Sequence, residues 1–254
     1  MTVADSTRAL VHPLAAPFRL DGSNGEAFVL IHGFTGNAAH FRPLGAQLAN
    51  RGYTVNAPLL AGHARDPEAM RHISRADWIE NTLDAIREVG DHRRVHLVGL
   101  SMGGLLAIVA AGADRVATVT TINAPVVFRD RRVRIAPIAV RLKPLVRWPE
   151  EPAPDIDEEV LPFWIHATEC PTSAVAELYA LSRQAVRSAE HVSVPSLVIQ
   201  SRTDDTAHPK SGPRLRAALG GDSRLLWLEH SIHNSLFDRE RHVIRDAVVE
   251  LVGR

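Results

Sequence analysis

Cysteine is nearly absent: Cys170 is the only one in 254 residues. A single thiol excludes an intramolecular disulfide framework and suits a reducing compartment, so the cytoplasm is the expected location. Surplus charge is absent as well, because 29 Lys and Arg face 29 Asp and Glu and the formal charge is zero with His neutral. No general electrostatic pull toward nucleic acid or an anionic membrane follows, and the expected partner is a small, weakly charged molecule. Long apolar runs are also missing. No stretch reaches the ~18 uncharged apolar residues of a membrane span, and MTVADSTRALVHPLAAPFRL has no basic region followed by an apolar core, so neither a transmembrane segment nor an export signal is expected. There is no internal repeat and no long low-complexity tract.

What the chain does contain is an alternation of short apolar runs and helical spacing. Strands are expected at Phe28 to Ile31, Tyr53 to Ala57, Val95 to Gly99, Val116 to Ile122, Ser196 to Gln200 and Arg224 to Leu228. Helices are expected at Ala38 to Arg51, Ala76 to Val89, Met102 to Ala113, Ser211 to Leu219 and Arg239 to Leu251. Such alternation predicts the α/β class, with a mostly parallel central sheet covered by helices on both faces. The near-continuous apolar character of VHLVG and SLVIQ agrees, since a central parallel strand is buried on both sides.

The alternation stops between Asn123 and Val192, where arginines (RDRRVR), prolines and an acidic run (PEEPAPDIDEE) crowd together. This predicts a core of residues 1–122 and 193–254 with a lid inserted at 123–192. Inside the lid, helices are expected at Ile135 to Val146 and Thr172 to Ala189, joined by an exposed connection from Pro149 to Pro162. The arginine run reads as a solvated face pairing with the acidic run; the other reading is a docking patch for an acidic substrate.

The chemistry centres on Gly99-Leu100-Ser101-Met102-Gly103, which follows the strand-like VHLV and precedes the helix-like LLAIVAAGA. A serine hydroxyl is a poor nucleophile unless it is held exposed beside a base, and a sharp strand-to-helix turn does this. Gly99 and Gly103 remove side chains that collide in such a turn. Met102 then opens the helix, with its N–H placed to meet a developing oxyanion. A second donor is expected from His32-Gly33-Phe34-Thr35-Gly36 after the strand FVLI, where Gly33 lets the backbone turn and the Phe34 N–H joins that of Met102. His32 is read as a support for this loop.

A carboxylate and a base are expected after the serine, in that order. Asp204 and Asp205 follow the strand SLVIQ, and His233 follows RLLWL. These are C-terminal strand ends, where open α/β sheets place ligands. Asp204 is favoured as the acid, with Asp205 as a turn residue or supporting partner. His233 is preferred to His230 because it lies deeper in the loop and just before the closing helix.

Taken in order, HGFTG, RGYTVNAPLLAGH, ADW, GLSMGG, INAP, SRTDDTAHP and the His233 loop resemble the landmarks of bacterial carboxylesterases and the similar monoacylglycerol lipases of the α/β-hydrolase superfamily. The resemblance covers nearly the whole chain. It implies an α/β-hydrolase fold with a small helical lid and a serine hydrolase that uses Ser101, Asp204 and His233, with oxyanion donors at Phe34 and Met102. It further implies short- to medium-chain acyl esters or monoacylglycerols as substrates and no metal or organic cofactor. Thioesterase, lactonase and carbon–carbon bond hydrolase chemistry share the same residues, and a non-catalytic ligand receptor shares the fold. Two positions depart from the family pattern: Ala64 stands where a third glycine of GHG is common, and Ile232 where a glycine often precedes the catalytic histidine.

Overall fold

The computed structural model of the protein describes residues 12–140, 144–147 and 157–253. Its strands are β1 (Phe18–Leu20), β2 (Glu26–Ile31), β3 (Thr54–Ala57), β4 (Arg94–Leu100), β5 (Val116–Ile122), β6 (Leu145–Arg147), β7 (Glu169–Pro171), β8 (Ser196–Ser201) and β9 (Ser223–Leu228). Its α-helices are α1 (Arg42–Ala49), α2 (Arg75–Glu88), α3 (Met102–Ala110), α4 (Ala136–Ala139), α5 (Thr172–Ser188), α6 (Ser211–Ala218) and α7 (Arg241–Val252). All strands but β6 and β7 form one sheet in the order β1-β3-β2-β4-β5-β8-β9. Only β1 is antiparallel to its neighbour, so the sheet is mostly parallel. The edge strand β1, three residues long, is too short to leave a periodic signal in the sequence.

The period-two alternation of a strand builds the layers. On β2, Ala27, Val29 and Ile31 enter one apolar cluster, while Phe28 and Leu30 enter a second cluster across the sheet. On β4, Val95 and Leu97 join the first and Val98 and Leu100 the second. Trp78 of α2, Leu105 of α3, Leu181 of α5 and Leu215 of α6 complete the first cluster; Leu48 of α1 and Ile244 of α7 belong to the second. Helix α3 lies deepest, with Met102, Leu105, Leu106, Ala107 and Ile108 all buried, so its N-terminus is held by packing on every side.

Between Asn123 and Val192 the structure departs from expectation in three respects. The helix expected over Ile135 to Val146 ends early: a 3-10 turn at Arg131–Ile135 leads into the single turn of α4, and Leu145 and Val146 lie in β6, paired antiparallel with β7. Pro144 stands between the two, and proline cannot continue a helix because it lacks the N–H and clashes with the preceding turn. Helix α5 fills most of the span expected as a lid helix, yet it buries Ala174, Val175, Leu178, Leu181 and Ala185 in the same cluster as α3 and the sheet. Finally, Asp157 and Glu159 of the acidic run pair with Arg241 of α7, not with the arginine run. Within that run Arg132 pairs with Asp130, and Arg129 donates to the backbone carbonyl of Asp204. The rest of the acidic connection, residues 149–156, lies outside the described residues.

Candidate active site

Ser101 links β4 to α3 at φ 54° and ψ −116°, a conformation that costs an L-residue free energy and persists only where the surroundings over-determine it. The surroundings here are close backbone contacts. A Cβ on Gly99 would lie 2.1 Å from the Gly103 carbonyl oxygen, and one on Gly103 would lie 1.9 Å from that of Ile31. Glycine two residues before and two after the serine therefore lets strand, turn and helix press against one another. The Ser101 N–H donates to the Ile122 carbonyl at 2.7 Å, tying the turn to the end of β5.

Three side chains named from the sequence meet in one line. Ser101 Oγ is 2.9 Å from His233 Nε2, and His233 Nδ1 is 3.0 Å from each Asp204 carboxylate oxygen. A carboxylate only accepts, so Nδ1 carries the proton and Nε2 presents a lone pair to the serine hydroxyl. Asp204 is fully buried, and its Oδ1 also accepts from the N–H groups of Thr206 at 2.9 Å and Ala207 at 2.7 Å. Asp205 is exposed and accepts from the Thr206 hydroxyl, and His230 is exposed. Burial disfavours a charged His233, but the charge of Asp204, its hydrogen bond and the charge of Asp205 outweigh it and hold the imidazole above its ordinary value.

The loop after β2 closes over the serine. A Cβ on Gly33 would lie 3.2 Å from Ser101 Cβ. His32 is buried and supports the loop: Nδ1 donates to the Gly33 carbonyl at 2.9 Å and Nε2 accepts from the Leu60 N–H at 3.1 Å. Phe34 rests edge-on to Trp78 and His63. Met102 is the first residue of α3, and the N–H of a first helical residue has no acceptor within its own helix. Residues 165 and 167 also hold this loop. The Ile165 carbonyl accepts from Asn37 Nδ2 at 2.7 Å and from His40 Nε2 at 2.8 Å, and the Ala167 N–H donates to the Thr35 carbonyl at 2.9 Å.

The loop that carries His233 is stapled along its length. Glu240 accepts the N–H groups of Glu229, His230 and Ser231, and Thr203 Oγ1 donates to the Ser231 carbonyl at 2.6 Å. Asn123 Nδ2 lies 2.8 Å from the His233 carbonyl oxygen. Asn123 and Thr203 fall within the INAP and SRTDDTAHP landmarks and Gln200 ends the strand SLVIQ, but the sequence assigns none of them a role, and their contacts emerge only from the packing of strand ends. Among the described residues the non-glycine positions with positive φ are Thr35, Ala64, Ser101, Arg115 and Asn123. Ile232 is not one of them, so its loop needs no glycine, whereas Ala64 sits at φ 51° where glycine is unstrained.

Cys170 is buried, and burial pushes its thiol up to about 12, which leaves it protonated and inert. Among the described residues no three His, Cys, Asp or Glu side chains group as a metal site, and no helix is long and apolar enough to cross a membrane.

A model of the alpha/beta hydrolase family matches residues 28–247, from β2 into α7. The chain is 26% identical over 241 residues to a carboxylesterase of Bacillus subtilis (strain 168), covering 94% of this chain and 96% of that protein. It is 26% identical over 250 residues to a thermostable monoacylglycerol lipase of Bacillus sp. (strain H-257), with coverage of 94% and 95%. A solved structure reported with the metagenome-derived lipolytic enzymes LipS and LipT aligns with a TM-score of 0.86 at 27% identity, over 95% of this chain and 99% of that one. These matches run from β2 into α7 and take in residues 123–192 with the rest: this chain belongs to the alpha/beta hydrolase family, and it is a hydrolase.

Proposed function

We propose that the protein hydrolyses carboxylic esters with Ser101 as nucleophile, His233 as general base and acid, Asp204 as its orienting carboxylate, and the N–H groups of Phe34 and Met102 as oxyanion donors. The observation that carries this reading is the unbroken line from Ser101 Oγ through both ring nitrogens of His233 to a buried carboxylate. Ser101 Oγ attacks the ester carbonyl as its proton passes to Nε2, and the imidazolium so formed is stabilised by Asp204. Negative charge develops on the carbonyl oxygen, where each oxyanion donor contributes on the order of 10² to 10³ in rate. His233 then gives the proton to the leaving alcohol, leaving an acyl-serine. Water attacks this ester with His233 again as base, the serine recovers its proton, and the carboxylic acid departs.

Short- to medium-chain acyl esters and monoacylglycerols are the proposed substrates, supported by the carboxylesterase and the monoacylglycerol lipase that the chain resembles over almost its full length. Within residues 123–192, α5 packs as a flanking helix, so the proposed lid is the stretch before it, whose Ile165 and Ala167 touch the loop after β2. The test is Ser101→Ala, assayed against esters of rising acyl length, a monoacylglycerol, a thioester and a lactone. The variant is expected to fold as the parent does and to lose all esterase activity and fluorophosphonate labelling; full activity in that variant overturns the assignment. The parent is expected to prefer ester over thioester and lactone, and the reverse preference overturns the substrate class alone.

A further inference from the structure

We propose that the Asn123 side chain is a positioning residue for His233, which it holds through the backbone carbonyl, and for Asp204, which it reaches through Gln200. This rests on the reading of Ser101, His233 and Asp204 as the reacting groups. Asn123 is the first residue after β5, and β5 lies between β4, which ends at the nucleophile, and β8, which leads to the acid. It is fully buried at φ 50°, a left-handed conformation that Asn tolerates better than most residues. Thr35 and Ser101, two of the other non-glycine residues at positive φ, also border the site.

The orientation of the amide follows from its neighbours. Oδ1 lies 2.7 Å from the Ser201 backbone nitrogen, a group that only donates. Nδ2 faces the carbonyl oxygens of His233 at 2.8 Å and Ile232 at 3.3 Å, groups that only accept, with Ser201 Oγ at 3.0 Å and Ser235 Oγ at 3.3 Å. Turning the amide over would set like against like on both sides. Aspartate lacks the donors, and alanine lacks both functions.

The side chain reaches two of the reacting groups, while Ser101 is tied independently, its N–H donating to the backbone carbonyl of Ile122 at 2.7 Å. The base is held through its own carbonyl. The acid is reached through Gln200, whose Nε2 lies 3.4 Å from Asn123 Oδ1 and 3.3 Å from Asp204 Oδ2. Removing the amide therefore frees the backbone under the imidazole, while Ser101 Oγ and Asp204 stay on other elements. A displacement of about 1 Å in such an array costs on the order of 10²-fold in rate.

The experiment compares the parent, Asn123→Ala, Asn123→Asp and the core control Ile244→Val. It measures kcat and KM on p-nitrophenyl butyrate, the pH profile of kcat/KM and the rate of fluorophosphonate labelling. In Asn123→Ala, kcat is expected to fall roughly 10- to 100-fold with KM changed by no more than about twofold. The acidic limb of its profile is expected to move to lower pH as the contact between His233 and Asp204 loosens, with labelling slowed in step. Asn123→Asp keeps the shape and the acceptor but sets an oxygen against two carbonyls, so it loses at least as much kcat. Ile244→Val keeps the parental values. A folded variant with parental kcat and an unmoved acidic limb overturns the proposal, and so does failure of both Asn123 variants to fold, which assigns the residue to the fold alone. If the parent itself resists labelling, the reading of Ser101 fails and takes this proposal with it; a labelled parent with equally fast variants defeats this proposal only.

Discussion

Lowering the pH from 7 to 5 should bring this protein close to unfolding, because its interior holds several neutral histidines with no room for a second proton. Burial lowers His40, His63 and His96 from 6.5 to about 4, and lowers His32 well below 6.5. The geometry accounts for each. His40 and His63 spend one ring nitrogen donating to the carbonyls of Ile165 and Ala61, and the other, Nδ1 and Nε2 respectively, is buried without a partner. His32 Nε2 is occupied by the Leu60 N–H, and His96 sits between Thr118 and Glu26. These folded-state values lie below the unfolded value, so between pH 6.5 and 4 the unfolded chain binds more protons than the folded one. Their contribution is intact above pH 6.5 and is lost as the pH falls toward 4. Each group with a value of about 4 costs about 2 kcal/mol at pH 5 relative to pH 7, so His40, His63 and His96 together cost about 5 to 6 kcal/mol. That matches the lower end of the total stability of a folded domain, roughly 5 to 15 kcal/mol. His233 does not offset the slope below pH 6.5, since its raised value leaves it protonated in both states there. Urea unfolding at pH 7, 6, 5.5 and 5 measures the effect. His63→Asn, which keeps a donor for the Ala61 carbonyl, should flatten the slope near pH 5 by about 1.4 kcal/mol per pH unit. Stability that holds within about 1 kcal/mol between pH 7 and 5 would refute the reasoning.

The remaining predictions concern the acid and one strained turn. Asp204→Asn should lower kcat by about 10⁴ while the protein stays folded, because the amide can donate to Nδ1 and favour the wrong tautomer; equal damage from Asp205→Asn would contradict the assignment. Asp205→Asn should keep kcat near the parent's and move the acidic limb of kcat/KM to lower pH, since the charge of Asp205 helps to raise His233. The parent's own acidic limb should fall above 6.5, and a midpoint below that value in kcat/KM counts against the direction of the shift. Ala64→Gly should relieve a left-handed alanine at φ 51°, raising stability by about 0.5 to 1 kcal/mol and the melting temperature by about 1 to 4 °C; scanning calorimetry showing a lower melting temperature would speak against strain at this position.

Ser101, the loop of Phe34 and the region of His233 were legible because each lies within a few residues of a strand end, where local pattern and chemistry coincide. The sequence favoured Asp204 over Asp205, but on thinner ground. Both are carboxylates at the same strand end, and what separates them is the turn that buries one and offers it the N–H groups of Thr206 and Ala207. The strands β6 and β7 escaped notice because three residues cannot show a period, and the continuous helical spacing across Ile135 to Val146 hid the break at Pro144. Helix α5 was legible as a helix but not as a flanking one, since an apolar stripe does not say which surface it meets. The arginine and acidic runs looked complementary in sequence, yet proximity along the chain does not determine the partner: Arg241, more than eighty residues on, takes Asp157 and Glu159.

Sheet register explains why the histidine needs help from β5. Ile31, Gly99, Thr121, Val198 and Leu225 are successive partners across β2, β4, β5, β8 and β9, so they form one level row. Counted from that row, Ser101 and Asn123 lie two residues on, Phe34 three, Asp204 six and His233 eight. Ser101 and the Phe34 loop come from adjacent strands and need almost no reach. Asp204 starts two strands from β4 and His233 three, distances of about 10 and 14 Å at the usual strand spacing. Each must travel back sideways over the strand ends, and the longer the return, the less its own strand constrains it. Asp204 is caught by its own tight turn. His233 makes the longest return, and the strand it crosses last before reaching the serine is β5, where the side chain immediately past the strand end is Asn123, 2.8 Å from the histidine's carbonyl oxygen.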